Sequence, residues 1–451
     1  MSPQIAPRVP KGMRDFTPAD MLRRQYVIDT ITTVFQTFGF EPIQTPVMEL
    51  HETLMGKYGD DAEKLIYQAQ HVEGKESLAL RYDLTVPLAR YYAQHESELT
   101  LPFRRYHIAP VWRAERPQRG RYREFYQCDA DIVGASGADA DAEIVSLIVT
   151  ALERLGFADF LVKVNHRRLL TGIGQYAGLS GEALGSLYRT IDKTDKIGLD
   201  GVRDEFLKNG LDTAVIQRMI DLLAATQQAA DMDSSLHVIS SIRGTLGAFP
   251  DALAGLNELE ALFRTLQVLG IDKHRVGLDF TMVRGLSYYT GPIFETVLLS
   301  DDPEERVGSV SGGGRYDELI GLFRKESIPT VGMSLGIERL IDLLNRRGQY
   351  PASLTRTVVQ TLVTVFNADT HTASLQVLAE LRRAGIRAEL YMQDKSVGKQ
   401  INYADKKGIP LIVLIGPDEL AAGQVKIKRL SDGNEQVIPQ AEVVSALQGW
   451  L

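Results

Sequence analysis

A chain of 451 residues that sets 50 Lys and Arg against 58 Asp and Glu carries a formal net charge of −8. That acidic total argues against a general nucleic-acid coat and leaves room for local basic surfaces, while 44% hydrophobic and 24% charged residues argue against wholesale disorder. At ~150 residues per domain the length suggests about three domains. One cysteine, Cys128, excludes a disulfide framework and a cysteine-rich zinc site, and the 8 histidines are scattered without metal-ligand spacing. No apolar run approaches the ~18–20 residues of a membrane span, and residues 1–16 hold no apolar stretch of a secretory signal. The expectation is a cytoplasmic, multidomain protein without a membrane partner.

In chain order, Thr17-Pro18-Ala19-Asp20 followed by Tyr26, Ile28, Ile31, Val34 and Phe35 predicts a capped amphipathic helix that stops at Gly39. Phe40–Pro46 reads as a short, proline-punctuated strand, and further strands are expected at Leu78–Arg81, Phe103–Arg113 and Tyr122–Val133. From Leu170 to Arg264 helical spacing takes over, which marks a helical insertion. Strand alternation returns at Val276–Val283 and Ile293–Leu299. A glycine-rich turn at Gly312–Gly314 follows, then a strand at Thr330–Leu335 and a helix at Ile337–Arg346. Asn345–Thr355 has the composition of a linker. The last block alternates strands (Val358–Phe366, Ile386–Tyr391, Leu411–Ile415) with helices (Ala373–Arg383, Val397–Lys407), the pattern of a small α/β domain on a mostly parallel sheet.

Three segments carry chemistry. Residues 104–123 hold seven arginines (Arg104, Arg105, Arg113, Arg116, Arg119, Arg121, Arg123) against one acid, Glu115. A solvated surface is the plainer account of such a patch, but arginine also suits bidentate contacts to phosphate or carboxylate. If a strand runs from Arg121, then Arg121, Arg123, Phe125, Gln127, Asp129 and Asp131 share one face by the period of two. That face grades from cationic through aromatic and amide to anionic, which suits a zwitterionic substrate joined to a polyphosphate. Arg284-Gly285-Leu286-Ser287-Tyr288-Tyr289 could bind a phosphate and a planar polar group, or could simply be a tyrosine-rich hairpin. In Gly336-Ile337-Glu338-Arg339, an arginine in the first helical turn opposes the macrodipole by ~0.3–1 kcal/mol unless the helix start and Arg339 together face an anion.

Taken together, these segments resemble a known family. Thr45-Pro46-Val47 before Glu49-Leu50, then Arg113-Ala114-Glu115, then Gly336-Ile337-Glu338-Arg339 resemble the three ordered motifs of class II aminoacyl-tRNA synthetases. Leu80–Pro87, Gly120–Gln127 and Arg284–Gly291 resemble the signatures of the histidyl-tRNA synthetase family. One departure is Ser287, where the family usually has an acid. The resemblance implies an α+β catalytic core on a mostly antiparallel sheet at residues 1–170 and 265–345. It further implies a helical insertion at 171–264, a linker at 346–356 and an anticodon-binding α/β domain at 357–451.

The resemblance also implies substrates and residue roles. L-histidine and ATP, the latter with Mg²⁺, would form histidyl-adenylate, and the histidyl group would pass to tRNA(His). Arg113 and Arg284 would be catalytic. Asp83, Thr85, Arg113, Gln127, Asp131, Arg284, Tyr288 and Tyr289 would hold histidine. ATP would meet Arg113, Glu115, Arg121, Phe125 and Arg339, and the tRNA acceptor end would meet Arg116, Gln118 and Arg119. Lys395, Lys399, Lys406 and Lys407 would face the anticodon, although a solvated helix face accounts for them as simply. A homodimer is implied by the first motif. The competing family member is a regulatory subunit of ATP phosphoribosyltransferase, which shares the core but lacks the last domain. A sensor of uncharged tRNA is a third reading.

Overall fold

Phe103–Trp112 and Glu124–Val133, the two longest strands, are rich in residues that favour a pleated, half-buried surface, and they form the antiparallel hairpin around which one sheet grows. The computed structural model describes residues 6–56, 58, 63–118, 120–179, 181–227, 229–283, 288–305 and 308–451. Its chain separates into two compact units, one of residues up to Arg14 with Val27–Gln349, the other of Asp15–Tyr26 with Tyr350–Leu451.

The strands of the first unit are β1 (Glu41–Pro42), β2 (Met48–Leu50), β3 (Gln68–Ala69), β4 (Leu78–Leu80), β5 (Phe103–Trp112), β6 (Glu124–Val133), β7 (Phe160–His166), β8 (Val276–Leu278), β9 (Pro292–Leu298), β10 (Ser311–Arg315) and β11 (Thr330–Leu335). β2, β4 and β3 make a small antiparallel sheet. The others form an eight-stranded sheet in the order β1-β5-β6-β11-β10-β9-β7-β8, in which the outermost pairs are parallel and the pairings between them antiparallel. This is the mostly antiparallel α+β core that the sequence implied. The strand expected over residues 40–46 shrinks to the two residues of β1, because Pro42 and Pro46 have no N–H to extend the ladder.

The helix Ala138–Arg154 packs against β6, β10 and β11. Ile144, Val145, Leu147, Ile148, Ala151 and Leu152 are fully buried along it, at ~1.5–3 kcal/mol for each large aliphatic side chain. Its first turn is tied to β10: the Nε and Nη2 of Arg315 donate to Asp141 Oδ1 at 3.0 and 2.7 Å, inside the protein. Between β7 and β8 the chain is helical, with helices Arg167–Tyr176, Glu182–Ile191, Thr194–Lys208, Thr213–Gln227, Met232–Leu246 and Pro250–Val268.

Gly312-Gly313-Gly314 does not form the expected turn. It is the middle of β10, laddered to β9 on one side and β11 on the other. Glycine's weak strand preference hid it, and the reason for glycine is close approach. A Cβ on Gly313 would lie 2.4 Å from the Gly332 carbonyl oxygen, and one on Gly332 would lie 1.8 Å from Asp131 Oδ1.

In the second unit, β12 (Thr361–Val363), β13 (Ala388–Leu390), β14 (Leu411–Leu414), β15 (Gln424–Arg429) and β16 (Glu435–Pro439) form a five-stranded sheet in the order β13-β12-β14-β15-β16. The expected parallel βαβαβ pattern accounts for β12, β13 and β14, but β14, β15 and β16 pair antiparallel, so the sheet is mixed. The hairpin's signal is the alternation Val425-Lys426-Ile427-Lys428, in which both apolar residues are fully buried and belong to the same core as Val377, Leu381, Val413 and Leu447. Among the described residues no helix is long and apolar enough to cross a membrane.

Two outcomes test these packing arguments. Gly313→Ala should destabilise the first unit by roughly 1–3 kcal/mol, because the added methyl meets backbone on β11; thermal unfolding of the variant beside the wild type reads this. His107 on β5 is 3% exposed, and burial, with the charges of Arg105 and Arg81, pushes its imidazole down to about 3. Unfolded histidine titrates near ~6.5, so acidification below that value favours the unfolded chain, and His107's contribution to stability is present above it and lost below it. In a histidine-labelled sample the His107 ring resonances should hold their neutral positions from pH 8 to pH 5, a range chosen to bracket ~6.5.

Candidate active site

Alternation along β6 turns Phe125, Gln127, Asp129 and Asp131 to one face and Cys128, Ala130 and Ile132 to the other, where all three are buried. The expected graded face thus exists from Phe125 onward, but the strand begins at Glu124 and does not include Arg121 and Arg123. Arg121 closes a tight turn with Gln118, each backbone N–H donating to the other's carbonyl at 2.9 and 3.0 Å. Arg123 leaves the face because its backbone N–H donates to Gly12 O at 2.9 Å and its Nε to Glu115 O at 3.0 Å.

A cavity of about 250 Å³ opens over the Gln127–Asp131 end of this face. Asp83, Thr85, Arg113, Gln127, Asp131, Tyr288 and Tyr289 line it together, with Asp129, Glu295, Tyr316 and Ser334. Gly312, Gly313 and Gly332 also line it, presenting peptide in place of side chains. Asp83 is buried just before the helix Thr85–His95, and its Oδ1 accepts from Tyr58 Oη at 2.9 Å and from Val86 N at 3.1 Å. Burial raises its carboxyl above the usual range, although these hydrogen bonds and Arg113 pull it back. Asp131 pairs with the fully buried Arg105 at 2.6 Å and accepts from Tyr316 Oη. Asp129 has its carboxyl raised by burial first; Arg105 opposes the rise and Asp131 adds to it. Tyr288 and Tyr289 meet edge-on with ring centroids 5.0 Å apart, and burial raises both hydroxyls.

A second cavity of about 200 Å³ adjoins it, lined by Arg113, Glu115, Arg121, Tyr122, Phe125, Glu338 and Arg339. Arg113 belongs to both cavities. Its Nε donates to Tyr82 O at 3.1 Å, and its guanidinium lies 4.4 Å from the Tyr82 ring centroid and 5.2 Å from that of Phe125. Arg121 pairs with Glu115 at 3.3 Å. Arg339 Nη1 donates to Ser309 O, which aims the guanidinium across the start of the helix Ile337–Arg347. Glu338 pairs with Arg14, whose guanidinium covers Tyr122 at 3.3 Å from the centroid.

The residues expected to hold histidine and those expected to hold ATP therefore fall into two neighbouring cavities. Arg284 and Ser287 lie outside the described residues, as does Arg119; Arg116 and Gln118 are exposed on the loop before the Arg121 turn. The arginine-rich hairpin is not one cationic surface. Arg104 pairs with Glu143 and Arg105 is buried against Asp131, because successive residues of β5 face opposite ways. In the second unit Lys395, Lys399 and Lys406 are exposed, whereas Lys407 is held by Glu389 and by Tyr403 Oη at 3.0 Å.

Tyr58, Tyr316 and Ser334 went unread in the sequence, and Arg105 was read only as one of the arginine patch. Arg105 and Ser334 have a signal only in register, opposite Asp131 and Asp129 respectively. Chemically, one cavity presents carboxylates and hydroxyls to a cationic or hydrogen-bonding guest, the other presents guanidiniums beside an aromatic ring, and Arg113 can touch whatever joins the two.

The family model described as histidyl-tRNA synthetase matches residues 12–340, and one described as an anticodon binding domain matches residues 360–450. The histidine–tRNA ligase of Bacteroides fragilis is 38% identical over 98% of this chain and 99% of its own. That of Aeropyrum pernix is 41% identical over 99% of this chain and 98% of its own. The crystal structure of histidyl-tRNA synthetase from Nostoc sp. PCC 7120 superposes with a TM-score of 0.87 at 33% identity, over 99% of this chain and 100% of that one. With the matching core, the matching last domain and near-complete coverage at these identities, the chain belongs to the histidyl-tRNA synthetase family.

Proposed function

We propose that the chain is a histidine–tRNA ligase. L-histidine's carboxylate attacks the α-phosphorus of ATP, pyrophosphate leaves, and histidyl-adenylate forms; a hydroxyl of the terminal ribose of tRNA(His) then attacks the acyl carbon and AMP leaves. The observation that carries this reading is the pair of adjoining cavities with Arg113 in the wall between them. The reaction joins a zwitterion to a nucleotide through one phosphorus, and it needs alignment and charge neutralisation rather than a protein nucleophile.

In this reading Arg113 binds the α-phosphate and the activated carboxylate, and Arg284 stabilises the five-coordinate phosphorus. Arg121 and Arg339 take the outer phosphates, Phe125 stacks the adenine and Glu115 hydrogen-bonds it. Asp83, Thr85 and Gln127 hold the α-ammonium, and Asp131 with Tyr288 and Tyr289 reads the imidazole. Among the described residues no group of three or more His, Cys, Asp or Glu could hold a metal ion. The chemistry of the second cavity suits an ion that arrives on the nucleotide, since Mg²⁺ keeps several waters and is held largely by substrate phosphates, beside which Arg121 and Arg339 stand. When bound it would neutralise phosphate charge.

Arg116, Gln118 and Arg119 meet the acceptor end of the tRNA. Residues 357–451 form the anticodon-binding domain, a reading supported by the family match over 360–450, with Lys395, Lys399 and Lys406 as its exposed cations. Residues 1–170 and 265–345 act as the catalytic core, 171–264 as the helical insertion and 346–356 as the linker. Two copies work as a homodimer in the cytoplasm. The same domain match disfavours the regulatory-subunit reading, in which this part of the chain has no counterpart.

Pyrophosphate exchange into ATP, run over all amino acids without tRNA, should depend on histidine alone, with discrimination of ~10⁴ or more against phenylalanine, because an apolar ring would leave buried acceptors unpaired. Exchange with another amino acid, or with none, would refute the proposal. Arg113→Ala should lower the exchange kcat by roughly 10²-fold or more, the scale for losing a preorganised charge contact at the reacting centre; a change confined to KM would mean that Arg113 only gathers substrate.

A further inference from the structure

Four side-chain acceptors in the first cavity have no hydrogen-bond partner among the described residues, Asp83 Oδ2, Gln127 Oε1, Asp129 Oδ1 and Asp131 Oδ2; Arg105 ion-pairs with the last, which leaves three. Asp83 and Asp129 are only 1% and 2% exposed. Native proteins rarely bury acceptors without a donor, and each one left so costs ~1–3 kcal/mol, more if charged. Asp131 is different: Arg105 and Tyr316 Oη already occupy it. Arg105 therefore stands closest to one of two neighbouring acids, and Asp129 is left short of a counter-charge.

Ser334 links two of the three acceptors. It sits opposite Asp129 in the β6–β11 ladder. Its hydroxyl oxygen accepts from Gln127 Nε2 at 3.2 Å, and its side chain also hydrogen-bonds Asp129. A hydroxyl has one proton to give. The Ser334 oxygen receives from Gln127, which leaves its own proton for Asp129. The amide's NH₂ is thereby fixed toward β11, and its Oε1 is left facing the cavity as an acceptor.

We propose that Asp129 and Ser334 complete the seat of the amino acid's α-ammonium, Asp129 as a third acceptor beside Asp83 and Gln127, and Ser334 as the positioning residue that orients the Gln127 amide. An ammonium carries three donors in a compact cluster, which matches three buried acceptors better than an imidazole, whose two nitrogens point apart. The inference rests on the reading of this cavity as the amino-acid site. It extends that reading to two residues to which the family resemblance gave no role.

The test uses the full-length chain and two ligands that differ only in the ammonium: histidine as substrate in pyrophosphate exchange, and 3-(imidazol-4-yl)propionate as competitive inhibitor. Asp129→Asn should raise the KM for histidine roughly 10- to 100-fold, the range for a hydrogen bond to a charged group. The KM for ATP and the inhibition constant of the propionate should stay within about twofold, since neither contact involves the ammonium. Ser334→Ala should raise the histidine KM by roughly 3- to 10-fold, the range for a neutral hydrogen bond, and Ser334→Thr, which keeps the hydroxyl, should restore it. If Asp129→Asn does not fold, the Ser334 pair decides by the same comparison. Equal weakening of both ligands, or an unchanged histidine KM, overturns the inference. Failure of the wild-type chain to exchange pyrophosphate with histidine instead removes the site reading beneath it.

Discussion

Burying carboxylates is the constraint around which the first unit is arranged. Asp83, Asp129 and Asp131 converge on one cavity, out of water, where ionised groups are disfavoured unless paired. Arg105, fully buried on the neighbouring strand, is the internal counter-charge, and its register opposite Asp131 follows from the β5–β6 ladder alone. The tyrosines Tyr58 and Tyr316 serve the same end, since each donates its hydroxyl to one of the acids. Burial raises all three carboxyls, and a positive charge beside them would oppose that rise, so the cavity is suited to a cationic guest.

The two cavities divide charge in a way that fits one substrate path. Guanidiniums collect beside Phe125, acids collect beside Gln127, and two residues of a single strand's period separate the regions. Arg113 is held between them by a carbonyl and by two aromatic rings, contacts that fix its plane without neutralising it. An arginine tied to a carboxylate would have its charge already spent. Among the described residues no carboxylate forms an ion pair with this one, which is oriented with its charge available.

Much of this was legible in the sequence because it depends on local periodicity. The face Phe125–Asp131 follows from the alternation of β6, and Thr330–Leu335 and Val397–Lys407 follow from apolar spacing. What escaped was long-range. Whether Arg104 or Arg105 faces solvent depends on which residues the neighbouring strand and helix bring to them, and Glu143 and Asp131 are distant in sequence. β10 escaped for the opposite reason: three glycines give no side-chain pattern, and only the approach of β11 explains them. The β15–β16 hairpin did carry an alternating signal, which the stronger βαβ pattern before it obscured.

The glycine strand also limits how the protein can change. Where Gly312, Gly313 and Gly332 line the first cavity, the surface offered to a guest is peptide rather than side chain. Peptide cannot be exchanged by mutation, and any methyl added at Gly313 or Gly332 collides with backbone or with Asp131. Gly312 differs from those two: a Cβ there would have the Phe294 carbonyl oxygen as its nearest neighbour, at 3.9 Å, so of the three it is the position at which the sheet can take a side chain. In the proposed amino-acid site, room for a larger guest would have to come from side chains such as Tyr288 and Tyr289 rather than from the peptide of Gly313 and Gly332.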